Sequence, residues 1–561
     1  MKDKTSIISP LFPKPELANE SEFLDFMKSL PQTFAEAEKS LSSNHRYVED
    51  NVLQNRIRLA AFIRKFHSEA DTLNDKVTRQ STLLNDPATK LFVSAHQPNL
   101  FAYGPIFKKV VMLETLKTTI ENYEQGKIIN LFVIIDHDFI DETWMRRAQL
   151  PSLDHPSGLL QLRFPVDLSK KWQMVCNIPR PGETTLYNWK REIVSWIKKS
   201  SSSPSHQEKM LDNLSRFWEV VEIAYSKSRS YSDFNSFLMS QIINSIWGYN
   251  TLFVRLSEIS QVFQNGFEFL LSNLRTYTTV LSRIEQTLLS HGIRTGVSST
   301  SYENAPLWLH CNCGSKASIS LSTGENLAFK SSCMSCKEKL TLDLTDDSTN
   351  PDLSKVISYI SPRAIAIPLL LSRDLEISCY CSGKGGLGYL NDANVLSKHL
   401  GIRRHLTLVW GSKDVYYGMA QNQALNAIHM EIPDAERHLQ ELHSRDNEYG
   451  RKIRALIIER KKLANANSSL CGILEDLFQL EEEQRRIRRE IKIFEKATEI
   501  LNLSPCILDY AVNFGMVDTE KQWCRHLLEN GNLFSPVYFN QEYTDQDNRK
   551  PSPSNHNNPF Q

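Results

Sequence analysis

The 561-residue sequence predicts an α/β fold in which a long insertion interrupts a parallel sheet and a coiled coil follows. Two apolar runs without polar alternation, at 91–95 and 131–135, flank a helical stretch, which is typical of parallel strands covered on both faces. The strand–loop–helix pattern returns with strands predicted at 375–381 and 405–410. Leucines and other apolar residues at seven-residue spacing within 431–503 indicate a coiled-coil seam.

Each element has a local reason. Gly104-Pro105 opens a predicted helix to about Tyr123, because proline fits the first helical turn. A break near 465–469 would turn the heptad region into a hairpin, and the alternative is one long surface helix.

The predicted units in order are an N-terminal helical region (1–90), the first half of the core (91–184), a helical connecting segment (185–300), a zinc ribbon (301–350), the second half of the core (351–430), the coiled coil (431–505), a C-terminal segment (506–541) and a disordered tail (542–561).

Composition excludes several classes of protein. Lysine and arginine number 65, as do aspartate and glutamate, so the chain lacks the basic surplus of a general polyanion binder. Ten cysteines are too few for a disulfide scaffold of this length. No signal-like start and no apolar run of about 18 residues is present. A cytoplasmic protein without a membrane partner is therefore expected.

The most specific motif is a set of two close cysteine pairs, Cys311 with Cys313 and Cys333 with Cys336. Such pairs can close a tetrahedral site with Zn–S distances of about 2.3 Å. Four thiolates leave no open coordination position, so the predicted zinc is structural. The alternative is a group of unligated, half-buried thiols.

Three polar loops follow predicted strands, where parallel sheets place ligands. After the first strand come His96, Gln97 and Asn99, and helix amides after Gly104 are predicted to hold an anion. The alternative is that His96 only caps the strand through backbone hydrogen bonds. The second strand ends in Asp136-His137-Asp138, which offers a general base or a clamp for an amine. Asp136 and His137 are the favoured functional pair. The third loop is glycine-rich and would approach a nucleotide phosphate or a carboxylate through Gly383, Lys384, Gly385, Gly386 and Tyr389.

These loops together resemble the bacillithiol-synthesis cysteine-adding ligase family. The family's Gln-Gln-x-Gly-Leu-Phe-x-Gly-Pro loop is matched by Gln97, Leu100-Phe101 and Gly104-Pro105, and its Glu-Asp-His-Asp-Phe strand end by 136–139. A later Ser-Pro…Pro-Leu segment is similar to Ser361-Pro362…Pro368-Leu369. The Gln-Pro-Asn of 97–99 is also similar, over a shorter stretch, to the WbqC-like family.

The resemblance implies a Rossmann-like core, a dimerising coiled coil, and a ligase that joins cysteine to an amino-sugar malate with a nucleotide site for ATP or ADP. The leading hypothesis is an enzyme with His96 and Gln97 near the reacting group and an amino-acid or thiol as the small-molecule substrate. The chain departs from the family at His96, Asn99, Ile367 and Gly386. The alternative function is a catalytically degenerate ligase fold that binds RNA or a protein through the zinc ribbon and coiled coil; nucleic acid is the less favoured partner.

Overall fold

The computed structural model describes residues 21–42, 47–123, 127–140, 144–201, 203–290, 304–323, 327–343, 352–430, 432–466 and 469–540. The tail predicted to be disordered at 542–561 lies outside these residues, as does the start of the N-terminal region.

A five-stranded parallel sheet organises the chain. Its strands are β1 (Lys90–His96), β2 (Ile128–Ile134), β5 (Leu252–Arg255), β11 (Cys379–Ser382) and β12 (Leu406–Val409). The spatial order is β12-β11-β1-β2-β5, and every pair is parallel. The chain therefore builds the sheet outwards from β1 in one direction, then returns to the other side of β1. The predicted parallel sheet, assembled from two distant stretches of sequence, is confirmed.

Both faces of this sheet are buried, which explains the unalternating apolar runs. Phe92, Phe132 and Phe253 point into one hydrophobic core, while their neighbours Leu91 and Leu131 point into a second core on the opposite face. Cys379 and Cys381 lie in the first core as fully buried thiols. The few polar side chains inside these strands are buried as well, and Asn130 of β2 donates to Glu114 at 2.7 Å.

Helices cover the two faces and fill the connections. In chain order they are α1 (Ser21–Ser29), α2 (Phe34–Ser42), α3 (Asp50–Glu69), α4 (Asp75–Thr82), α5 (Gly104–Tyr123), α6 (Glu183–Ser200), α7 (Pro204–Lys227), α8 (Tyr231–Ser240), α9 (Gln264–Ser272), α10 (Leu274–Ser290), α11 (Ala366–Asp374), α12 (Leu387–Leu400), α13 (Met419–Ile428), α14 (Ile432–Asn465), α15 (Cys471–Asn502), α16 (Ile507–Phe514) and α17 (Met516–Glu529). The helix predicted from Gly104 to Tyr123 has these bounds in the structure. None of the described helices has a stretch long and apolar enough to cross a membrane.

Two regions differ from the sequence prediction. The segment 185–300, expected to be helical, also supplies the edge strand β5, which the sequence did not predict because it is only four residues long. The strand expected at 375–381 is shorter, since α11 continues to Asp374 and β11 begins at Cys379.

The cysteine-rich region is a second, antiparallel sheet. Its strands are β6 (Asn304–His310), β7 (Lys316–Thr323), β8 (Leu327–Ser332) and β9 (Lys339–Asp343), and β10 (Ile360–Pro362) pairs with β6. Because β10 belongs to the segment that leads into α11, this sheet is joined to the main body by backbone hydrogen bonds as well as by the chain.

The helices α14 and α15 pack against each other in antiparallel orientation, as the side-chain contacts between them show. Asp446 accepts from Arg488 Nε at 2.8 Å, and His438 Nε2 lies 3.2 Å from Glu490 Oε1. Ile487 and Phe494 are buried positions of the predicted heptads and join a small core with α13. Near the turn, Leu474 and Phe478 are exposed.

The C-terminal segment packs beside the first half of the sheet. Two small ladders accompany it: β13 (Val415–Tyr417) with β14 (Tyr538–Asn540), and the antiparallel pair β3 (Arg147–Pro151) and β4 (Leu159–Arg163). Asp414 accepts hydrogen bonds from Lys108 on α5 at 2.6 Å, from Tyr510 on α16 at 2.6 Å and from Trp523 on α17 at 2.9 Å. One buried carboxylate thus connects three helices.

Candidate functional site

The three polar loops predicted from the sequence follow β1, β2 and β11, which are neighbouring parallel strands, so they share the carboxyl edge of the sheet. The strand order reverses between β1 and β11, which makes this edge the topological switch point of the sheet. Open parallel sheets bind ligands in the crevice at such a point. We therefore take this edge as the candidate functional site.

A chain of polar contacts joins the loops after β1 and β2. Gln97 Nε2 donates to Asp138 Oδ2 at 2.9 Å, and Lys316 Nζ lies 3.3 Å from Asp138 Oδ1. Asp138 keeps about a third of its side chain exposed (32%), whereas Lys316 is buried. Burial alone would raise the pKa of Asp138, but Lys316 and its other polar neighbours hold that pKa below its usual value. Asp138 is therefore a carboxylate that is both ionised and reachable.

Lys316 reaches this edge from the cysteine-rich sheet, where it is the first residue of β7. Its ammonium group lies over the rings of Phe139 and Trp308, at 4.8 and 4.6 Å from their centroids. Such cation–π contacts stabilise a lysine that has few water molecules around it. Burial lowers the pKa of Lys316, against the attraction of Asp138.

The turn before β7 is fixed to the connection after β4, which in turn contacts the loop that follows β2. Met174 N donates to Gly314 O at 2.9 Å, and Ser315 Oγ donates to Trp172 O at 2.6 Å. The next residue after Met174, Val175, donates its backbone amide to Asp138 O at 2.8 Å, and Asp138 belongs to the loop after β2. The cysteine-rich sheet is therefore part of the wall of the candidate site.

His137 is buried between these groups. Burial and, to a lesser extent, the positive charge of Lys316 together lower its pKa to about 3. His310 on β6 lies nearby, hydrogen-bonded through Nε2 to Ser361 Oγ at 2.9 Å, and its pKa falls to about 4 for the same two reasons. Both imidazoles are neutral at physiological pH and act as polar, uncharged groups.

Asp136 is directed elsewhere. Its two carboxylate oxygens accept from Ser257, the backbone amide at 2.9 Å and the hydroxyl at 2.6 Å, and the residue is fully buried. Burial raises its pKa to about 6. Asp136 joins β2 to the turn after β5, so the geometry favours Asp138, and not the expected pair Asp136 and His137, as the group open to a substrate.

His96 stands at the end of β1 beside Trp144, with its ring centroid 6.0 Å from that of the indole. Its Nδ1 lies 3.0 Å from Gln97 O, and burial lowers its pKa to about 3. A neutral ring that donates from Nδ1 to this carbonyl leaves Nε2 as a hydrogen-bond acceptor. Asn99 is fully buried, and its side-chain Nδ2 lies 3.5 Å from Trp144 O.

Gly104 has a packing role. Its amide donates to Pro505 O at 3.0 Å, so this amide at the start of α5 is already paired within the protein. A Cβ at Gly104 would lie 2.5 Å from Cε2 of Tyr510. The expected anion site at this helix start is therefore covered by the C-terminal segment.

The turn between β11 and α12 meets a lysine from α5. Lys109 is buried, its Nζ donates to Ala95 O at 3.2 Å, and its Cε lies 3.7 Å from where a Cβ at Gly383 would be. A Cβ at Gly386 would meet Ser382 Oγ, which would have to rotate away to make room for it. Lys384 is exposed, and Tyr389 on α12 is 41% exposed. A Cβ added to Gly385 would have no atom within 4 Å.

The four predicted metal ligands come together. Sulfur atoms of Cys311, Cys313, Cys333 and Cys336 all lie within 4.8 Å of one another. Two of the sulfur–sulfur distances are 3.6 Å (311 to 336) and 3.5 Å (313 to 333). A tetrahedron with metal–sulfur bonds of about 2.3 Å has edges of about 3.8 Å, so the cluster fits a metal such as zinc.

Sequence reasoning missed the two buried lysines of this edge. Lys109 follows Lys108 in an otherwise apolar stretch of α5, and two charges in such a stretch were an available signal. Lys316 follows the first cysteine pair, and nothing in its local sequence indicates that it is buried. Its place beside Asp138 depends on how the second sheet docks, which no local pattern indicates.

No protein-family model matches this chain, and no curated protein matches it either.

Proposed function

We propose that this chain is an enzyme that joins two small molecules at the carboxyl edge of the parallel sheet, as a carbon–nitrogen ligase resembling the cysteine-adding enzyme of low-molecular-weight thiol synthesis. The observation that carries the proposal is the contact chain Gln97–Asp138–Lys316, which places a reachable carboxylate between two loops that the resemblance assigns to the reaction. The Rossmann-like character of the core belongs to the same proposal and is supported by the switch point between β1 and β11.

The proposed chemistry follows from the charges. The proposed step joins a substrate amine to the carbonyl carbon of the second substrate, breaks the bond from that carbon to a phosphate-bearing leaving group supplied from ATP, and releases a proton from the amine before or during attack. Asp138, held ionised, attracts the ammonium form of the substrate. Neutral His96 offers Nε2 as a hydrogen-bond acceptor that orients the amine, and the proton that the amine loses passes to solvent, because a ring with a pKa of about 3 is too weak a base to hold it. Gln97 orients Asp138, and Lys316 sets its charge state.

The cofactor part of the proposal has two components. Zinc is the proposed occupant of the four-cysteine cluster, where it would hold the turns of the second sheet without an open coordination position. ATP or ADP is the proposed ligand of the glycine turn at 383–386, beside Lys109. The proposed assembly is a homodimer formed through α14 and α15, a coiled-coil hairpin whose exposed Leu474 and Phe478 favour a partner surface.

The alternative function, a binding module for RNA or a protein, would need exposed lysines on the zinc ribbon to hold a nucleic acid. Lys316 is buried against Asp138, while Lys330 and Lys337 are exposed. The ribbon therefore offers a nucleic acid one positive charge fewer than the sequence indicated, and the enzyme is the better supported function.

Calorimetry with ATP, ADP and cysteine, followed by turnover assays with an amino-sugar malate, tests the proposal. Asp138→Asn is expected to lower kcat/KM by about a hundredfold or more, because the charge that attracts the amine is lost while the side-chain size is kept. Asp167→Asn is the matched control, since Asp167 is a solvent-exposed carboxylate on the connection after β4. Failure of the wild-type chain to bind any of these compounds contradicts the ligase proposal.

A further inference from the structure

Lys109 is a buried cation that has no carboxylate partner within the described parts of the chain. Among the residues that the structure describes, its recorded hydrogen bond is the one to Ala95 O, and its other electrostatic neighbours are His96 and Cys381. Burial raises the pKa of the Cys381 thiol to about 12 and lowers that of His96 to about 3, so both are neutral near pH 7. A buried ammonium group that lacks a counter-charge is costly unless something else supplies one.

The position of Lys109 indicates what supplies it. The side chain rises from α5 between the carboxyl ends of β1 and β11, where Ser94 and Cys381 are register partners. Its Cε lies against Gly383, the first residue of a glycine turn that leads directly into α12. Strand, glycine turn and helix start form the arrangement in which backbone approaches a phosphate closely, and a lysine completes such sites as a point charge.

We propose that Lys109 is the counter-cation for a phosphate group bound over the turn 383–386, in the crevice between β1 and β11. This inference rests on the nucleotide part of the proposed function and deepens it by naming the residue that recognises the phosphate. Lys384, the lysine that the sequence favours, is exposed on the outer side of the same turn and is the less suitable anchor.

Titration calorimetry with ADP, inorganic phosphate and malate, on the wild-type chain and on Lys109→Met, tests the assignment. The variant is expected to bind ADP and phosphate at least about tenfold more weakly, as for the loss of one charge-assisted contact. Its melting temperature is expected to stay equal or rise, because an uncompensated buried charge is removed. Lys117→Met is the matched control, since Lys117 is also buried on α5 but lies 3.9 Å from Glu114.

The wild-type pH profile provides a measurement that does not depend on a variant. Burial lowers the pKa of Lys109 to about 8. The protonated form exists below this pKa, so ADP affinity is expected to fall by about tenfold between about pH 7.5 and about pH 9.5, a range in which the terminal phosphate of ADP is already largely ionised. Lys109→Met, which retains Lys384, is expected to give a flat profile.

The outcomes separate the two proposals. Wild-type-like binding by Lys109→Met, or a flat wild-type profile, overturns the role of Lys109 and leaves the nucleotide site standing. Binding of malate without ADP or phosphate overturns the phosphate assignment. Absence of ADP and phosphate binding in the wild-type chain overturns the inference together with the nucleotide part of the proposed function.

Discussion

At the scale of single residues, Gly104 shows how one position can suggest a ligand and serve packing. Its amide is paired with Pro505 O, and the face of its Cα is in contact with the ring of Tyr510. That ring is fixed in turn by the hydrogen bond from its hydroxyl to Asp414. The matching glycine of the resembled family is therefore explained here by close approach of two helices.

Gly104→Ala is expected to destabilise the protein by about 1–3 kcal/mol, because the added methyl group overlaps a ring that cannot move without breaking a buried hydrogen bond. Chemical denaturation measures the change. Gly385→Ala is the control, since no atom lies within 4 Å of its added Cβ, and its stability should match the wild type. Equal stability of the two variants would show that the ring of Tyr510 has room to move.

At the scale of elements, the cysteine-rich sheet links metal binding to the candidate site. In the turn that follows Cys313, Gly314 O accepts a hydrogen bond from Met174 N. Two residues later, Lys316 pairs with Asp138. In a unit this small, metal binding supplies much of the folding free energy. Loss of the metal should therefore disturb Asp138, although no cysteine contacts it.

Metal analysis is expected to find one zinc ion per chain in the purified protein. Chelation, or Cys336→Ser, is expected to speed hydrogen exchange at the amides of Met174 and Val175, which donate to Gly314 and Asp138. The amides of β1 serve as the internal reference and should remain protected. Unchanged exchange at Met174 in metal-free protein would contradict the link between ribbon and site.

The elements also show what the sequence could and could not predict. β1, β2 and α5 were predictable because continuous apolar runs and Gly104-Pro105 are local signals. β5 was missed because four residues between helices resemble a loop. The neighbours of Lys109 and Lys316 were not predictable, since they depend on β11 pairing with β1 and on β10 pairing with β6. Local patterns identify loops at the right edge of the sheet but not the residues that reach them from elsewhere.

At the scale of the whole molecule, the hairpin of α14 and α15 presents apolar side chains away from the small core at its base. Leu474 is 48% exposed and Phe478 is 63% exposed. Such side chains, grouped on one helix face, favour burial against another chain. The proposed homodimer would place this face at its interface.

Sedimentation equilibrium is expected to show a dimer for the wild-type chain and a monomer for the double variant Leu474→Ser with Phe478→Ser. Ile493→Ser is the control: it is also exposed on α15, at 47%, but lies nearer the base of the hairpin. A wild-type monomer, or a dimer that survives the double substitution, would contradict assembly through this surface.

The contacts of α16 with the loop after β1 have a consequence for biosynthesis. Ile507 N donates to Ala102 O and Pro505 O accepts from Gly104 N, so two backbone hydrogen bonds join segments about 400 residues apart in the chain. A ribosome adds residues from the N-terminus at roughly 5–20 per second. For some tens of seconds the nascent chain therefore carries an apolar loop whose native cover has not yet been made. We expect this interval, more than the stability of the finished protein, to determine how much of it needs a chaperone.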